Sequence, residues 1–227
     1  MTKDPARPAL ILLLLFCVGL LGEVDYQMIP PLLPLLATTF GVTASHAARV
    51  VPVYSVASAV FSLLFGYLSD HYGRKRFIQA GLVCFSVTCA GAFSSASFEI
   101  FLLARLLSGV TTGAIVTAAT SYAADYFSYD RRGRAMGILS TAYFAAAILG
   151  IPAATAVAGR WGWRPLFLIT ASAALICGLL VWKFIQGETA AQVHAIDSQH
   201  RLSLSRIRQV FGLCLRRRDT LSVLLAS

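Results

Sequence analysis

The sequence of 227 residues is rich in apolar residues and poor in charge: 57% of its residues are hydrophobic and 13% are charged. Soluble domains average about 25% charged residues, so this composition excludes an ordinary soluble enzyme, a disordered chain and a soluble nucleic-acid-binding domain. The net charge of +9, from 19 Lys and Arg against 10 Asp and Glu, is typical of a membrane protein with basic cytoplasmic loops and needs no nucleic-acid partner.

Six apolar stretches are long enough to cross a bilayer, for which a helix needs about 20 mainly apolar residues. We therefore predict an all-α membrane protein that is built around a six-helix bundle. The predicted helices span residues 9–37, 46–68, 77–95, 98–122, 135–159 and 165–185. The predicted organisation is a cytoplasmic N-terminus (1–8), the transmembrane bundle (9–185), a partly amphipathic cytoplasmic linker (186–219) and the start of a truncated seventh helix (220–227).

The distribution of Lys and Arg predicts the orientation of this bundle. Fifteen of them lie at the ends of the chain or in loops on one side, three lie on the other side, and Arg105 lies within a helix. Because basic loops stay in the cytoplasm, we expect both termini to be cytoplasmic and the protein to lie in the plasma (inner) membrane. The sequence has no nucleotide-binding, metal-binding or nucleophile motif, so we expect no enzyme activity, metal site or cofactor.

Three charged residues fall inside the predicted helices, namely Glu23 and Asp25 in the first helix and Arg105 in the fourth. A charge at the bilayer centre costs about 2.5–3.5 kcal/mol on insertion scales, so such residues usually face a cavity and have partners. Glu23 and Asp25 are separated by about 200° around the helix, so they face opposite sides. At a rise of about 1.5 Å per residue, Asp25 and Arg105 lie at depths in the membrane that allow their side chains to meet. We predict Asp25 as the cavity acid paired with Arg105, and Glu23 as the second candidate.

Two roles are open for the Asp25–Arg105 pair. It either holds two helices together permanently, or it takes up a proton when a conformational change separates the two side chains, since a nearby Arg alters the proton affinity of a carboxylate. The prolines between residues 30 and 34 leave a second choice open. They either bend the first helix above the pair, or the helix ends near Met28 and continues as an irregular segment.

The segment GYLSDHYGRKRFI, residues 66–78, carries the most specific pattern and joins the second and third helices. Gly66 allows close approach of a neighbouring helix, Asp70 can pair with Arg74 four residues later, and Gly73 allows a tight turn. A short basic loop explains Arg74 and Lys75, but it does not explain the order of the glycines, the acid and the bases.

This segment resembles the loop signature of the major facilitator superfamily of secondary transporters, G-x-L-a-D-r-x-G-r-k-x-x-l, and departs from it at the first basic position, where His71 stands. The resemblance implies a cytoplasmic gate in which Asp70 holds a helix of the second half of the transporter. It also implies that Arg74 connects Asp70 to an acid at the end of the fourth helix, a position that Asp125 fits. The matching residues are Gly66, Leu68, Asp70, Gly73, Arg74, Lys75 and Ile78.

Further segments resemble motifs of the same superfamily. Arg105 followed by Gly109 is similar to its fourth-helix motif, residues 125–137 to its loop between helices four and five, and residues 162–167 to the start of its sixth helix. Gly150 and Pro152 resemble the G-P motif in the fifth helix of its antiporters, although one residue separates them and alanines replace the following glycines. These resemblances place the sequence nearest the drug:proton and sugar efflux branches.

The resemblance implies a transporter of two six-helix halves, each built from two inverted three-helix repeats, of which this sequence corresponds to the amino-terminal half. We therefore expect secondary active transport of a small molecule, as proton-coupled efflux by alternating access. The expected partners are the substrate, protons, the lipid bilayer, and either a second six-helix half or a second copy of the chain. The alternative is a truncated, non-transporting fragment or a six-helix membrane protein with an assembly or regulatory role.

Overall fold

The computed structural model describes residues 6–185. The predicted linker, the predicted start of a seventh helix and the first five residues lie outside the described residues. Within residues 6–185 the chain forms nine α-helices, and a π-helical turn at Ala146–Gly150 joins the seventh to the eighth. The helices are α1 (Ala6–Gln27), α2 (Ile29–Phe40), α3 (Ala44–Ala48), α4 (Val50–Tyr72), α5 (Arg74–Phe93), α6 (Phe98–Tyr126), α7 (Tyr129–Ala145), α8 (Ile151–Trp161) and α9 (Arg164–Phe184).

These helices form six spans that are long and apolar enough to cross a membrane, which confirms the predicted all-α membrane fold. The spans are α1, α3 with α4, α5, α6, α7 with α8, and α9. Short connections make consecutive spans antiparallel, so the junctions alternate between two ends of the bundle. We call the end with the α4–α5 and α6–α7 junctions the basic end, because Arg74, Arg131 and Arg132 lie there.

The basic segments predicted as loops are instead the first turns of helices. Gly73 alone joins α4 to α5, with a φ of +90° that glycine adopts without steric cost. Phe127 and Ser128 join α6 to α7, so most of the predicted 125–137 loop is helical. Arg, Ala and Met are good helix formers, and Asp130 in the first turn of α7 interacts favourably with the helix dipole. These preferences extend the helices beyond the apolar residues that define the spans.

The first predicted helix is interrupted once, at Met28, between α1 and α2. In a continuous helix the carbonyl groups of Tyr26 and Gln27 would accept hydrogen bonds from residues 30 and 31, but both are prolines and have no N–H group. The helix therefore ends near Met28, as one of the two alternatives predicts. The residues that follow are not irregular, however, because they form α2.

The glycines of α6 allow α4 to pack closely against it. A Cβ atom on Gly109 would lie 2.4 Å from the carbonyl oxygen of Tyr54, and one on Gly113 would lie 2.5 Å from that of Ser58. Both distances are shorter than van der Waals contact, so no larger residue fits without separating the helices. Small residues four positions apart bring helices together in membranes, where lipid and side chains are equally apolar.

α5 and α9 lie antiparallel, and each begins with a cation that binds the end of the other. Lys75 Nζ donates to the carbonyl oxygen of Trp182 at 3.0 Å. Arg164 donates to the carbonyl oxygens of Phe93 at 3.0 Å and Ser95 at 2.8 Å. The last carbonyl groups of a helix lack partners within it, and a cation near them also complements the helix dipole. This reciprocal arrangement of the third and sixth spans agrees with two inverted three-helix repeats.

Candidate functional site

Asp25 on α1 and Arg105 on α6 form an ion pair that is completely buried, with both side chains 0% exposed. Arg105 Nη1 donates to Asp25 Oδ1 at 2.7 Å and to Oδ2 at 2.8 Å, and Nη2 donates to the backbone carbonyl oxygen of Asp25 at 3.1 Å. That carbonyl group belongs to the last turn of α1. Arg105 therefore caps the C-terminus of α1 as well as neutralising Asp25.

Aromatic rings enclose this pair. The guanidinium carbon of Arg105 lies 4.5 Å from the ring centroid of Tyr54 and 5.6 Å from that of Phe167. Cys89 Sγ lies 3.9 Å from Asp25 Oδ1. Arg105 Nε has no hydrogen-bond partner among the described residues. Because both side chains are fully buried, solvent screens this pair little. Sequence reasoning did not place Phe167 or Cys89 beside this pair, because Phe167 was noted only as part of the motif at residues 162–167, Cys89 belongs to no motif, and both reach the pair through the packing of α5 and α9.

Glu23 faces a different environment, although it lies two residues from Asp25 on the same helix. It is half-buried and lines a cavity of about 190 Å³ between α1, α6 and α7. Its side chain is hydrogen-bonded to Gln27, and Gln27 Nε2 donates to the carbonyl oxygen of Tyr143 at 3.0 Å. Within residues 6–185, Glu23 forms no ion pair with Lys, Arg or His.

The two acids face different surroundings. Asp25 is paired with Arg105 and does not line the cavity between α1, α6 and α7, whereas Glu23 does. The physical reason is that a guanidinium group in a dry core needs a charged partner. Arg105 therefore fixes Asp25 on the inner side of α1, and the rotation of about 200° between the two acids turns Glu23 toward α7.

Arg74 joins three helices at the basic end of the bundle. Its Nε and Nη2 donate to Asp70 Oδ1 at 3.0 and 2.8 Å, and its Nη1 pairs with Asp125 and donates to the carbonyl oxygen of Ser121. The Arg74 side chain is 8% exposed, whereas those of Asp70 and Asp125 are 33% and 48% exposed. The structure thus brings the three charged residues of the predicted gate together, with the acids in contact with solvent.

Gly66 and Lys75, the other members of the predicted gate, lie on either side of this cluster. A Cβ atom on Gly66 would lie 3.4 Å from the methyl carbon of Thr117, so α4 passes close to α6 at this point. Lys75 binds the C-terminal end of α9 through Trp182. Lys75 therefore contributes to the contact between α5 and α9 rather than to the carboxylate cluster.

Gly150 and Pro152 lie at the junction of the π-helical turn with α8, and the turn packs against α1. Gly150 ends the π-helical turn, and a Cβ atom on it would lie 3.2 Å from a methyl group of Val24, the residue between the acids. Pro152 is at the beginning of α8, where its missing N–H group is best tolerated. π-Helical turns occur frequently at functional sites, and this one packs against the segment that carries Glu23 and Asp25.

The described residues also allow a test for a metal site. Within residues 6–185, no group of three or more His, Cys, Asp and Glu side chains is arranged to hold a metal ion. The charged groups described above are a buried ion pair, a partly exposed carboxylate cluster around Arg74, and a carboxylate on a cavity wall.

Comparison with known protein families gives a match over nearly the whole chain. The family model of the Major Facilitator Superfamily matches residues 15–226. The multidrug resistance protein MdtG of Salmonella paratyphi C is 32% identical over 166 residues, which cover 71% of this chain and 41% of MdtG. Protein spinster homolog 1 of Homo sapiens is 30% identical over 191 residues, which cover 81% of this chain and 35% of that protein. The chain thus spans less than half the length of these relatives.

Solved structures match the fold of the same half. A bacterial homolog of the human lysosomal transporter Spinster, in an inward-facing and unoccupied conformation, has a TM-score of 0.76 and 20% identity, over 82% of this chain and 44% of that chain. The proton:xylose symporter XylE bound to 6-bromo-6-deoxy-D-glucose has a TM-score of 0.73 and 18% identity, over 86% of this chain and 50% of that chain. At these identities the likeness establishes the fold alone.

Proposed function

The chain belongs to the major facilitator superfamily, and on this premise we propose that it serves as the amino-terminal six-helix half of a proton-coupled efflux transporter. Transport would proceed by alternating access, in which one six-helix bundle rocks against another. The second bundle is either a separate half or a second copy of this chain. The names of the relatives support efflux of small molecules, since they include multidrug resistance proteins and a multi-drug resistance efflux pump.

The position of Glu23 is the observation that carries the proton-coupled part of this proposal. A carboxylate inside a membrane is costly unless it has a partner or a function. Glu23 lies on a cavity wall without a cationic partner among the described residues. It can therefore exchange a proton with water in the cavity without breaking an ion pair. Asp25 would first have to separate from Arg105, so we assign Asp25 and Arg105 to holding α1 against α6.

The Arg74 cluster supplies the gate in this proposal. Asp70 and Asp125 both bind Arg74, and both remain partly hydrated. Each carboxylate can therefore exchange Arg74 for water or for a group on an approaching helix at little cost. We propose that this cluster closes the cytoplasmic side, with both termini in the cytoplasm and the bundle in the plasma (inner) membrane, as the distribution of Lys and Arg indicates.

Transport by the full chain in proteoliposomes tests the proposal. A pH gradient would be imposed across vesicles, and the flux of a fluorescent amine, a neutral sugar and an organic anion would be followed with and without the gradient. We expect gradient-dependent flux of at least one of these compounds. We also expect Glu23→Gln to abolish the dependence on the gradient, while Glu99→Gln, which changes an exposed acid at the start of α6, leaves it intact.

Three results would contradict the proposal in whole or in part. Flux that is equal with and without the gradient would exclude proton coupling. Absence of flux in vesicles that contain correctly folded chain, either alone or together with a second half, would favour the alternative of a non-transporting fragment or a six-helix protein with an assembly or regulatory role. Loss of coupling in Asp25→Asn but not in Glu23→Gln would transfer the proton-carrying role to the Asp25–Arg105 pair.

A further inference from the structure

The cavity beside Glu23 is mainly apolar and opens at the surface of α7. Its volume of about 190 Å³ is smaller than that of a typical drug-binding pocket, so it suits a compact molecule or one end of a larger one. Ser140 and Tyr143 on its wall are exposed, which gives access from outside the bundle. The aliphatic part of the wall consists of Leu15, Val116, Ala119, Met136, Leu139 and Ala142.

Two of the three hydroxyl groups on the cavity wall, those of Thr120 and Ser140, have already donated their hydrogen atoms. Thr120 Oγ1 lies 2.9 Å from the carbonyl oxygen of Val116, and Ser140 Oγ donates to that of Met136 at 3.0 Å. A hydroxyl group has one hydrogen to donate and lone pairs to accept with. Thr120 and Ser140 therefore offer the cavity acceptors and no donor.

The other polar groups at or beside the wall are the side-chain amide of Gln27 and the hydroxyl group of Tyr143. Gln27 Nε2 donates to the carbonyl oxygen of Tyr143, and the Gln27 side chain is also bonded to Glu23. The hydroxyl group of Tyr143 can accept as well as donate. No Lys, Arg or His is among the residues that line the cavity. A ligand thus meets one carboxylate and several acceptors within an apolar wall.

This combination selects one chemical class of ligand. An anion would be repelled by Glu23 and would find no cation to bind. A sugar would need donors as well as acceptors for its hydroxyl groups, and the wall provides mainly acceptors. A protonated amine brings both a positive charge and N–H donors, while its hydrocarbon part can contact the aliphatic side chains. A carboxylate in apolar surroundings is stabilised by such a partner.

We propose that the cavity binds the ammonium group of a compact organic amine, held by Glu23 with Thr120 and Ser140 as additional acceptors. This inference rests on the proposed transport function and names the chemical class of its substrate. Asp25 does not compete for the amine, because its two carboxylate oxygens already accept hydrogen bonds from Arg105.

Three ligands with the same adamantane cage and different head groups test this proposal. Adamantan-1-ammonium, adamantan-1-ol and adamantane-1-carboxylate would be titrated calorimetrically into the full chain in lipid nanodiscs, with empty nanodiscs subtracted to remove partitioning into lipid. We expect saturable binding of the ammonium compound, and binding at least about tenfold weaker for the alcohol and the carboxylate, because a hydrogen bond to a charged group contributes about 1.5–3 kcal/mol.

Matched variants locate the binding. Glu23→Gln keeps the size of the side chain and should weaken binding of the ammonium compound at least about tenfold, whereas Glu99→Gln should not change it. Thr120→Val removes one acceptor at nearly constant volume and should weaken binding by a smaller factor. If Glu23→Gln proves to be misfolded in a thermal unfolding scan, the Thr120→Val variant and the head-group series on the unmodified chain decide the question.

The inference is overturned if the unmodified chain shows no saturable binding of the ammonium compound, if all three head groups bind equally, or if Glu23→Gln binds as tightly as the unmodified chain. These results are separate from those of the transport assay. Binding of the amine without gradient-dependent flux would remove the proposed function and leave the amine site. Gradient-dependent flux of a sugar or an anion, without binding of the amine, would support the proposed function and remove the amine site.

Discussion

Arg105 and Arg74 each bind carboxylates of neighbouring helices, but in opposite surroundings. Arg105 and Asp25 are both fully buried, whereas Asp70 and Asp125, the partners of Arg74, are 33% and 48% exposed. Removing one member of a buried pair leaves an uncompensated charge in the dry interior. A half-exposed carboxylate stays hydrated and loses little when it exchanges its partner. On the function proposed above, the same chemistry would give a permanent connection in one region and a releasable connection in the other.

The positions of the two arginines agree with this difference. Arg105 connects α6 to the end of α1 between the rings of Tyr54 and Phe167, in the interior of the bundle that would move as one body in the proposed transport cycle. Arg74 connects α4, α5 and α6 at the basic end, where the proposed gate would open and close. Variants in each region test whether the two ion-pair sites differ in their contribution to stability and in their response to salt.

The largest effect is expected for Arg105→Met. This change leaves Asp25 charged and buried without its partner, and we expect it to destabilise the bundle by about 3–5 kcal/mol. Thermal unfolding in detergent, followed by circular dichroism, measures the loss. Arg160→Met is the matched control, because Arg160 is exposed at the end of α8 and should change the stability by less than about 0.5 kcal/mol. Equal melting temperatures for the two variants would contradict a permanent connection.

A double variant sharpens the same prediction. Replacing a buried ion pair by apolar residues of similar volume is often neutral or stabilising. We therefore expect Asp25→Leu combined with Arg105→Met to unfold at a higher temperature than Arg105→Met alone. A double variant that is less stable than the single variant would show that Arg105 contributes mainly through its bond to the backbone of α1 or through its packing against Tyr54.

Gly109→Ala should disturb the dry region through its packing. The added methyl group would lie 2.4 Å from the carbonyl oxygen of Tyr54, whose ring lies against Arg105. Overpacking of this kind costs about 1–3 kcal/mol. Gly133→Ala in α7 is the control, because nothing lies within 4 Å of its added methyl group, and alanine in a helix should instead stabilise by about 0.5–1 kcal/mol. Unfolding scans of the two variants should therefore shift in opposite directions.

Arg74→Gln should have a smaller effect that depends on salt. We expect a loss of about 1–2 kcal/mol, since Asp70 and Asp125 can turn to water once Arg74 is replaced. Raising the ionic strength to about 1 M should reduce the difference from the unmodified chain, because salt screens exposed charges more than buried ones. The loss in Arg105→Met should hardly respond to salt. An equal response of both variants to salt in the same unfolding assay would contradict the difference between the buried Arg105 pair and the partly exposed Arg74 cluster.

Lys75→Ala should have the smallest effect. Removal of the bond to the carbonyl oxygen of Trp182 should cost about 0.3–1 kcal/mol and loosen the last turn of α9. Hydrogen–deuterium exchange followed by mass spectrometry should show faster exchange in the peptide that contains this turn. Arg76→Ala, at an exposed position one residue further along α5, should leave that exchange unchanged. Equal exchange in both variants would mean that Lys75 does not cap α9.

Features that depend on local geometry follow from the amino-acid sequence. Six apolar stretches predict six spans because a bilayer core requires about 20 apolar residues per helix, and all six are present. Asp70 and Arg74 are bonded because only three residues separate them and the chain turns within one residue, Gly73, between the end of α4 and the start of α5. Gly73 has a positive φ because the chain reverses within one residue there. The superfamily was likewise predicted from the ordered loop motif between the second and third spans.

Which side chains of different helices face one another depends on the tertiary structure. The spacing of Glu23 and Asp25 fixes the angle between them, but not the rotation of α1, which depends on where Arg105 on α6 meets it. The cavity beside Glu23 exists because α6 and α7 pack around that face of α1. Lys75 and Trp182 are 107 residues apart, and nothing local brings them together. Such contacts depend on the packing of whole helices, so a periodic apolar pattern predicts the helices without predicting what lies between them.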